Sequence, residues 1–404
     1  MELNLNAFAF LLIVTAVVAI VATRLRLPYS VGLVLAGVAL ASLPLHANFP
    51  ITQRLLFLVL LPPLVFETAY HMSWRALRRD LPMVLILATV GVAIAALITA
   101  AGMHWLVKWS WISALAFGML IAATDPVSVI AAFKEAKVGG RLELLLVAES
   151  LFNDGTAAVG FSVVLLHASG QDLGHFGAFG ATVVVIMGSV LCGLLVSGAA
   201  LLLAKHTPDH LLHVTLATVA AYGSFLLAEN FQLSGVLATL VSGLACGNIG
   251  VLSALTPRGN EAISAVFEFM AFVANSLVFL FIGVQCAAHP FWTLLMPVVV
   301  AIVLVVLGRA ATVYGICALF TPSPWQVERW HQHMLVWGGL RGALALALAL
   351  GLPTTFPDRD EIIAIAFAVV AFSIFVQGTT MMPLLRHRPG SSDNQKTLRQ
   401  PYNE

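Results

Sequence analysis

The chain has 404 residues, of which 60% are hydrophobic and only 10% are charged, and its formal net charge at pH 7 is +1. Soluble globular proteins carry roughly 25% charged residues, so a chain of this length and composition cannot cover itself with a water-facing polar surface. The composition excludes a soluble protein, and the near-neutral charge gives no sign of a nucleic-acid partner. It predicts a protein that uses the lipid bilayer as its solvent.

Apolar stretches of the length that crosses a bilayer as a helix, about 20 residues, recur along the whole chain. The first of them, 7–22, is followed rather than preceded by Arg24 and Arg26, which is the reverse of the order in a signal peptide. We therefore predict an all-α polytopic membrane protein of about 13 transmembrane helices. The predicted spans are 6–23, 28–45, 52–71, 82–107, 110–134, 141–167, 176–204, 209–230, 233–250, 261–287, 291–320, 331–351 and 361–386.

The basic residues outside these spans fall mostly in alternate connecting segments. One set of segments holds only Arg54, Lys108 and Arg359, whereas the opposite set holds nearly all the others. Because lysine and arginine are enriched in cytoplasmic loops, we expect the N-terminus outside and the C-terminus in the cytoplasm. The polar residues 387–404 are expected to form a short disordered cytoplasmic tail.

The span arithmetic predicts an internal symmetry. Spans 1–6 begin outside and spans 8–13 begin inside, with span 7 between them. Two six-helix units of opposite orientation are a design typical of secondary transporters. We therefore expect two inverted repeats.

Span 5 carries the first polar residues at membrane depth, in the segment AFGMLIAATDPVSVIAAF. Pro126 removes a backbone donor and clashes with the preceding turn, so the helix is predicted to break near Thr124 and Asp125. A carboxylate at this depth is costly and by default marks a function. Asp125 is expected either to bind an ion or to balance a helix dipole.

Span 6 places Asp154 near its middle, with Asn153 beside it and Ser150 four positions earlier on the same helix face. Together they offer carboxylate, amide and hydroxyl oxygens, which suit a hard cation such as Na⁺, and no imidazole or thiolate that would favour zinc or copper. In span 3, Glu67 is expected either to contact the ion through water or to have a structural role. These residues predict a site for a monovalent cation.

A second group of charges is predicted to be structural. Glu149 lies about 140° around the helix from Asp154 and cannot easily join the same site. We expect it to form a buried ion pair with Arg309, with Arg341 nearby. Arg341 stands among three glycines in MLVWGGLRGALALALALGLP, which predicts that span 12 is a second discontinuous helix and that Arg341 faces its negative half-helix end.

Four motifs in chain order, ATDPVSV, ESLFNDGTA, FVANSLVFLFIG and GGLRGALALALAL, resemble the sodium/hydrogen exchanger family of electroneutral cation/proton antiporters. The resemblance covers most of the chain and implies a compact prokaryotic member, a homodimer in the cell (inner) membrane with no cofactor. It implies a transmembrane domain over 1–386, with a mobile core over 82–167 and 291–386. A dimerisation scaffold would occupy 6–71 and 176–287.

The resemblance also implies residue roles. It carries the ion-binding carboxylate onto Asp154 with Asn153 before it, and the broken-helix motif onto Thr124 and Asp125. It adds Ser150 and Glu67 as supporting ligands, and it carries the stabilising ion pair onto Glu149 and Arg309. The expected activity is one-for-one exchange of Na⁺ or Li⁺ for H⁺ by alternating access, with no enzymatic step.

Three alternatives stay open at this stage. A potassium/proton exchanger could use the same scaffold, because ligand type does not separate Na⁺ from K⁺. A gated cation channel would need a continuous pore. An intramembrane aspartyl protease could use Asp125 and Asp154 as a carboxylate pair that shares a proton.

Overall fold

The computed structural model describes residues 5–25, 28–42, 56–136, 138–170, 177–288, 294–321 and 323–386. Within these ranges every regular element is a helix. Each predicted span overlaps one helix or a pair of helices separated by a break. The chain is an all-helical, multi-pass membrane protein. The predicted tail, 387–404, lies outside the described residues.

Fifteen helices, numbered here in chain order, account for the described spans. Seven of them (α4, α7, α8, α9, α11, α12 and α15) are by themselves long and apolar enough to cross a bilayer. The helices are α1 (Leu5–Leu25), α2 (Tyr29–Ser42), α3 (Phe57–Tyr70), α4 (Trp74–Val107), α5 (Trp111–Ala122), α6 (Val127–Ala136), α7 (Arg141–Ala168), α8 (Gly177–Ala204), α9 (His210–Asn230), α10 (Gly235–Gly250), α11 (Pro257–Ala288), α12 (Leu295–Leu319), α13 (Arg329–Trp337), α14 (Ala343–Leu350) and α15 (Arg359–Arg386).

The helices pack in two groups. In the first group α2 lies along α11, α8 packs on α9 and α10, and α3 lies between α10 and α11. In the second group α4 packs between α5 and α12, α5 also contacts α7, and α14 contacts α5 and α15. The groups meet where α7 contacts α10 and α8, and where α11 contacts α15. This seam runs past the polar residues at membrane depth.

Close backbone approach holds α2 against α11. A Cβ atom added at Gly37 would overlap the carbonyl oxygen of Leu280, and one added at Gly283 would overlap the carbonyl oxygen of Val34. Glycine is therefore required at both positions for this crossing. Small residues allow such contact in a bilayer, where helices gain little by hiding apolar surface from lipid and depend on packing instead.

Two predicted spans are interrupted. In span 5, α5 ends at Ala122 and α6 begins at Val127, so Pro126 stands immediately before the first turn of α6, where its missing N–H costs nothing. In span 12, α13 ends at Trp337 and α14 begins at Ala343. The residues between the half-helices form the two breaks that position the site described below.

Candidate ion-binding site

The two breaks cross each other and are joined by hydrogen bonds. The Asp125 backbone N–H donates to the Leu340 carbonyl oxygen over 2.7 Å. The guanidinium Nη1 of Arg341 donates to the carbonyl oxygens of Ala122, at 2.6 Å, and Ala123, at 3.2 Å. The carbonyl oxygens at the end of a helix have no intrahelical hydrogen-bond donor. The hydrocarbon region of a bilayer offers no water to act as that donor. Arg341 therefore satisfies and charge-balances the C-terminal end of α5.

Asp125 lies against the start of the other half-helix. A Cβ atom added at Gly342 would overlap the Asp125 side chain, carboxylate included, so only glycine allows this approach. Gly342 is the residue immediately before α14. A carboxylate is favoured near the N-terminal end of a helix, where the dipole is positive. The crossing thus puts Asp125 at a positive helix end and Arg341 at a negative one.

Side chains of helix α7 form hydrogen bonds with the break between α5 and α6. The Ser150 hydroxyl donates to the Thr124 carbonyl oxygen over 2.5 Å, and the Thr124 hydroxyl donates to the Ser150 oxygen over 2.9 Å. The Asn153 amide donates to the Thr124 hydroxyl oxygen over 3.2 Å. All three side chains are at most 3% exposed. This network fixes Thr124 where helical hydrogen bonding has stopped.

Asp154 has a carboxylate oxygen that no described residue satisfies. Its Oδ1 is buried and has no hydrogen-bond partner among the described residues, and the same holds for Oδ1 of Asn153. An unpaired buried oxygen costs about 1–3 kcal/mol, and more when it is charged. The site is therefore incomplete without a proton, a water molecule or a cation.

A small cavity of about 60 Å³ lies at the crossing. This space is several times the roughly 10–15 Å³ that one water molecule needs on the same measure. The residues that line it include Glu67, Thr124, Asp125 and Asp154. Ser150 and Asn153 are not among the described residues that line this cavity. Both donate hydrogen bonds to Thr124, which stands between them and the cavity. The polar lining residues are Glu67, Thr68, Thr124, Asp125, Asp154 and Asn275.

Glu149 is bonded on both carboxylate oxygens. Arg309 Nη1 donates to Oε1 and Nη2 donates to Oε2, each over 2.7 Å, and Asn153 Nδ2 donates to Oε1 over 3.2 Å. Arg309 also donates to the Leu335 carbonyl oxygen from Nε and Nη2. The side chains of Glu149 and Arg309 are 1% and 8% exposed. The structure brings these two residues together and places the Arg341 guanidinium on helix-end carbonyls instead.

A larger cavity of about 580 Å³ adjoins the small one, since Glu67 and Thr68 line both. We call it the vestibule. Its other titratable side chains are His71, Glu143 and Glu268. His71 Nδ1 lies 3.4 Å from Glu67 Oε1, so an imidazole borders the carboxylate where the two cavities meet.

Sequence reasoning missed two members of this region. His71 was overlooked, although it follows Glu67 by four positions, the spacing that places two residues on one helix face. Asn275 was overlooked as a site residue because FVANSLVFLFIG served only as a family signature. A polar amide inside an otherwise apolar stretch was the signal that could have identified it.

Broken helices that cross around a polar site at membrane depth are typical of secondary transporters. The family model for "Sodium/hydrogen exchanger, transmembrane" matches residues 10–387. The chain therefore belongs to the sodium/hydrogen exchanger family.

Individual relatives agree with this membership. The chain is 35% identical to the Na⁺/H⁺ antiporter ApNhaP of Aphanothece halophytica over 366 residues, covering 89% of this chain and 69% of that protein. It is 31% identical to NhaH of Halobacillus dabanensis, covering 93% of this chain and 96% of that antiporter. The structure of the sodium proton antiporter MjNhaP1 from Methanocaldococcus jannaschii at pH 8 has the same fold. That comparison has a TM-score of 0.77 at 19% identity and covers 95% and 98% of the two chains.

Proposed function

We propose that this protein exchanges Na⁺, or Li⁺, for H⁺ by alternating access, with the Asp154 carboxylate as the shared binding group. The observation that carries the proposal concerns Oδ1 of Asp154, which is buried and has no hydrogen-bond partner among the residues that the structure describes. Asp154 borders a cavity that is also lined by Glu67 and Asp125. Carboxylate and carbonyl oxygens are the ligands that hard cations prefer. Similarity to named Na⁺/H⁺ antiporters supports Na⁺ as the cation.

Competition at one carboxylate couples the two ions. A protonated Asp154 cannot bind Na⁺ as a carboxylate does, and a bound Na⁺ disfavours the proton. If the site changes its side of exposure only when it is occupied, each Na⁺ that leaves must be replaced by H⁺. The neighbouring residue is the neutral Asn153 rather than a second acid, which supports one-for-one, electroneutral exchange.

The remaining site residues then have distinct roles. Thr124, Asp125 and Glu67 face the cavity and are placed to contact the cation or its water. Ser150 and Asn153 support the site by holding Thr124. Glu149, Arg309 and Arg341 stabilise the crossing, the first two as an ion pair and the third at the helix end.

We further propose 13 membrane crossings in two inverted repeats, with α5–α6 and α13–α14 as the discontinuous spans. The second group of packed helices would be the mobile core and the first group the scaffold of a homodimer. The vestibule lies beside Ser73 and Gly140, close in sequence to the basic residues Arg75, Arg78 and Arg141. The positive-inside rule predicts that this side is cytoplasmic, which supports an inward-facing vestibule.

The test is exchange by purified protein in liposomes that contain a pH-sensitive dye. A pulse of Na⁺ or Li⁺ is expected to move protons, whereas choline is not. At acidic pH the apparent KM for Na⁺ should rise by about tenfold per pH unit, because proton and cation bind the same group. A KM independent of pH would refute a shared site. A response to K⁺ alone would identify a potassium exchanger, and cation flux with no proton movement would identify a channel.

A further inference from the structure

Asn275 lines the small cavity, and the proposed mechanism leaves it without a role. It lies on α11 within FVANSLVFLFIG, is half-buried, and is one of the residues that line the small cavity together with Asp154 and Asp125. Glu268 lies seven positions earlier, two helical turns and about 10 Å away on the same face, and lines the vestibule. One face of α11 therefore follows the path from the vestibule to the cavity.

The neighbouring residue shows how a polar group on α11 is normally satisfied. Ser276 is fully buried, donates to the Phe272 carbonyl oxygen over 2.6 Å, and lies 2.7 Å from the Tyr29 hydroxyl oxygen. The Asn275 amide, in contrast, makes no hydrogen bond to any described residue. A polar side chain at membrane depth is costly unless it has a partner. The partner available to Asn275 is whatever occupies the cavity.

Asn275 lines the cavity from the helix group opposite the one that carries Asp154. Asp154 and Asp125 come from the second group of helices, whereas Asn275, Glu67 and Thr68 come from the first. Of these three, Thr68 donates to the Leu64 carbonyl oxygen and Glu67 lies against His71, so both have protein contacts. The amide oxygen of Asn275 has no hydrogen-bond donor in the described part of the chain.

A neutral amide oxygen has a property that a carboxylate lacks. It can coordinate a hard cation, but it does not take up a proton near neutral pH. Its loss should therefore weaken cation binding while leaving the competing proton at Asp154 unaffected. Because it reaches the cavity from the other helix group, it also helps to determine the distance available to the ion, and hence the size of ion that fits.

We propose that Asn275 contributes its amide oxygen to the transported cation, directly or through one water molecule, and so determines which monovalent cation the site prefers. This inference rests on the proposed function, since it concerns the same cavity. It assigns cation selectivity to a residue of the first helix group, whereas the proton binds to Asp154 of the second helix group.

The test compares Asn275→Ala with wild type in the liposome assay, measuring the apparent KM for Na⁺, Li⁺ and K⁺ at one alkaline pH. Loss of a ligand or of a group that orients one commonly lowers cation affinity by 10–100-fold, so the KM for Na⁺ should rise by about tenfold or more. The maximal rate should stay within about twofold, and the preference among the three cations should narrow. A second measurement is the pH at which exchange falls to half of its maximal rate, with Na⁺ held at the same multiple of each protein's own KM. That pH should be the same in Asn275→Ala and in wild type.

Ser276→Ala is the matched control, because it removes a hydroxyl from the same turn of α11 but from a residue that does not line the cavity. It should leave the cation preference unchanged, and an equal shift in this control would overturn the proposal by assigning the effect to helix packing. Unchanged KM values in Asn275→Ala would overturn it as well. If the alanine variant does not fold, Asn275→Ser, which keeps a polar but shorter side chain, decides by the same KM ratio. Failure of wild type to couple Na⁺ to protons would instead refute the proposed function.

Discussion

Two acidic residues on α7, Glu149 and Asp154, are separated by five positions and have opposite environments. Glu149 is held by two 2.7 Å hydrogen bonds from Arg309 and by a third from Asn153. Asp154 lacks a partner for Oδ1 among the described residues and borders a cavity. Both are acids at membrane depth on one helix, so residue type and depth do not distinguish a structural acid from an ion-binding one. The number of hydrogen-bond partners that each carboxylate has does distinguish them.

The reason is energetic. A buried charge that is fully paired has nothing to gain from binding an ion, whereas a buried charge left partly unpaired is stabilised by either a proton or a cation. Asn153 connects the two environments, since its amide donates to Glu149 and to Thr124. The structural pair is therefore also the support on which the transport site is built.

The largest effect is expected from Asp154→Asn, which removes the charge and keeps the shape. Na⁺-dependent proton movement should fall to background in liposomes, because the amide cannot alternate between proton and cation. The amount and melting temperature of the purified protein should stay at the wild-type level, since no described partner of Oδ1 is lost. Exchange that survives in this variant would move the shared site to another carboxylate.

The next effect is expected from Arg309→Ala and concerns folding. Removing one partner of a buried ion pair leaves an uncompensated charge and typically costs about 3–5 kcal/mol. The yield and melting temperature should drop, and adding Glu149→Ala should restore part of both. Asp360→Ala is the control, because its pair with Arg359 is exposed, and such pairs contribute only about 0–1 kcal/mol. No recovery in the double variant would contradict the pairing as the cause.

A smaller effect is expected from Arg341→Ala, which removes the donor to the Ala122 and Ala123 carbonyl oxygens. A buried carbonyl without a partner costs about 1–3 kcal/mol, so the melting temperature should fall by less than in Arg309→Ala. Exchange should slow, since α5 ends at the ion site. Arg341→Lys keeps a charged donor and should recover part of the rate. Equal loss in both variants would mean that the charge at the helix end is not what matters.

The smallest effect is expected from Ser150→Ala. The substitution removes the hydroxyl that donates to the Thr124 carbonyl oxygen, a net contribution of about 0.5–1.5 kcal/mol. The KM for Na⁺ should rise by about two- to tenfold, corresponding to that energy, with little change in melting temperature. Ser162→Ala is the control, because Ser162 is on the same helix and bonds only within it, to the Ala158 carbonyl oxygen. An unchanged KM in Ser150→Ala would show that Thr124 does not need this support.

Much of the site could be predicted from single residues. A charged side chain in an apolar span is conspicuous, so Asp125, Glu149, Asp154 and Arg309 were identified without a structure. Their partners were harder to predict. Ser150 and Asn153 were expected to contact the ion because they offer oxygen atoms, and the structure adds that the Ser150 hydroxyl and the Asn153 amide nitrogen donate to Thr124. Which of two nearby acceptors a donor reaches depends on distances between helices, and helix spacing is not encoded in periodicity.

By itself, the sequence determined that the protein lies in a lipid bilayer, that it is helical, and where spans 5 and 12 are interrupted. Apolar length and the shortage of charge require a bilayer, and Pro126 and the glycines around Arg341 interrupt helices through local backbone chemistry. Only the tertiary structure decided which charges are paired and which are open. It placed Arg341 on helix-end carbonyls and brought Asn275 of α11 to the same cavity as Asp154 of α7. It also left Oδ1 of Asp154 without a partner in the described part of the chain. These facts depend on contacts between residues far apart in the chain, which are determined by packing of whole helices rather than by any local pattern.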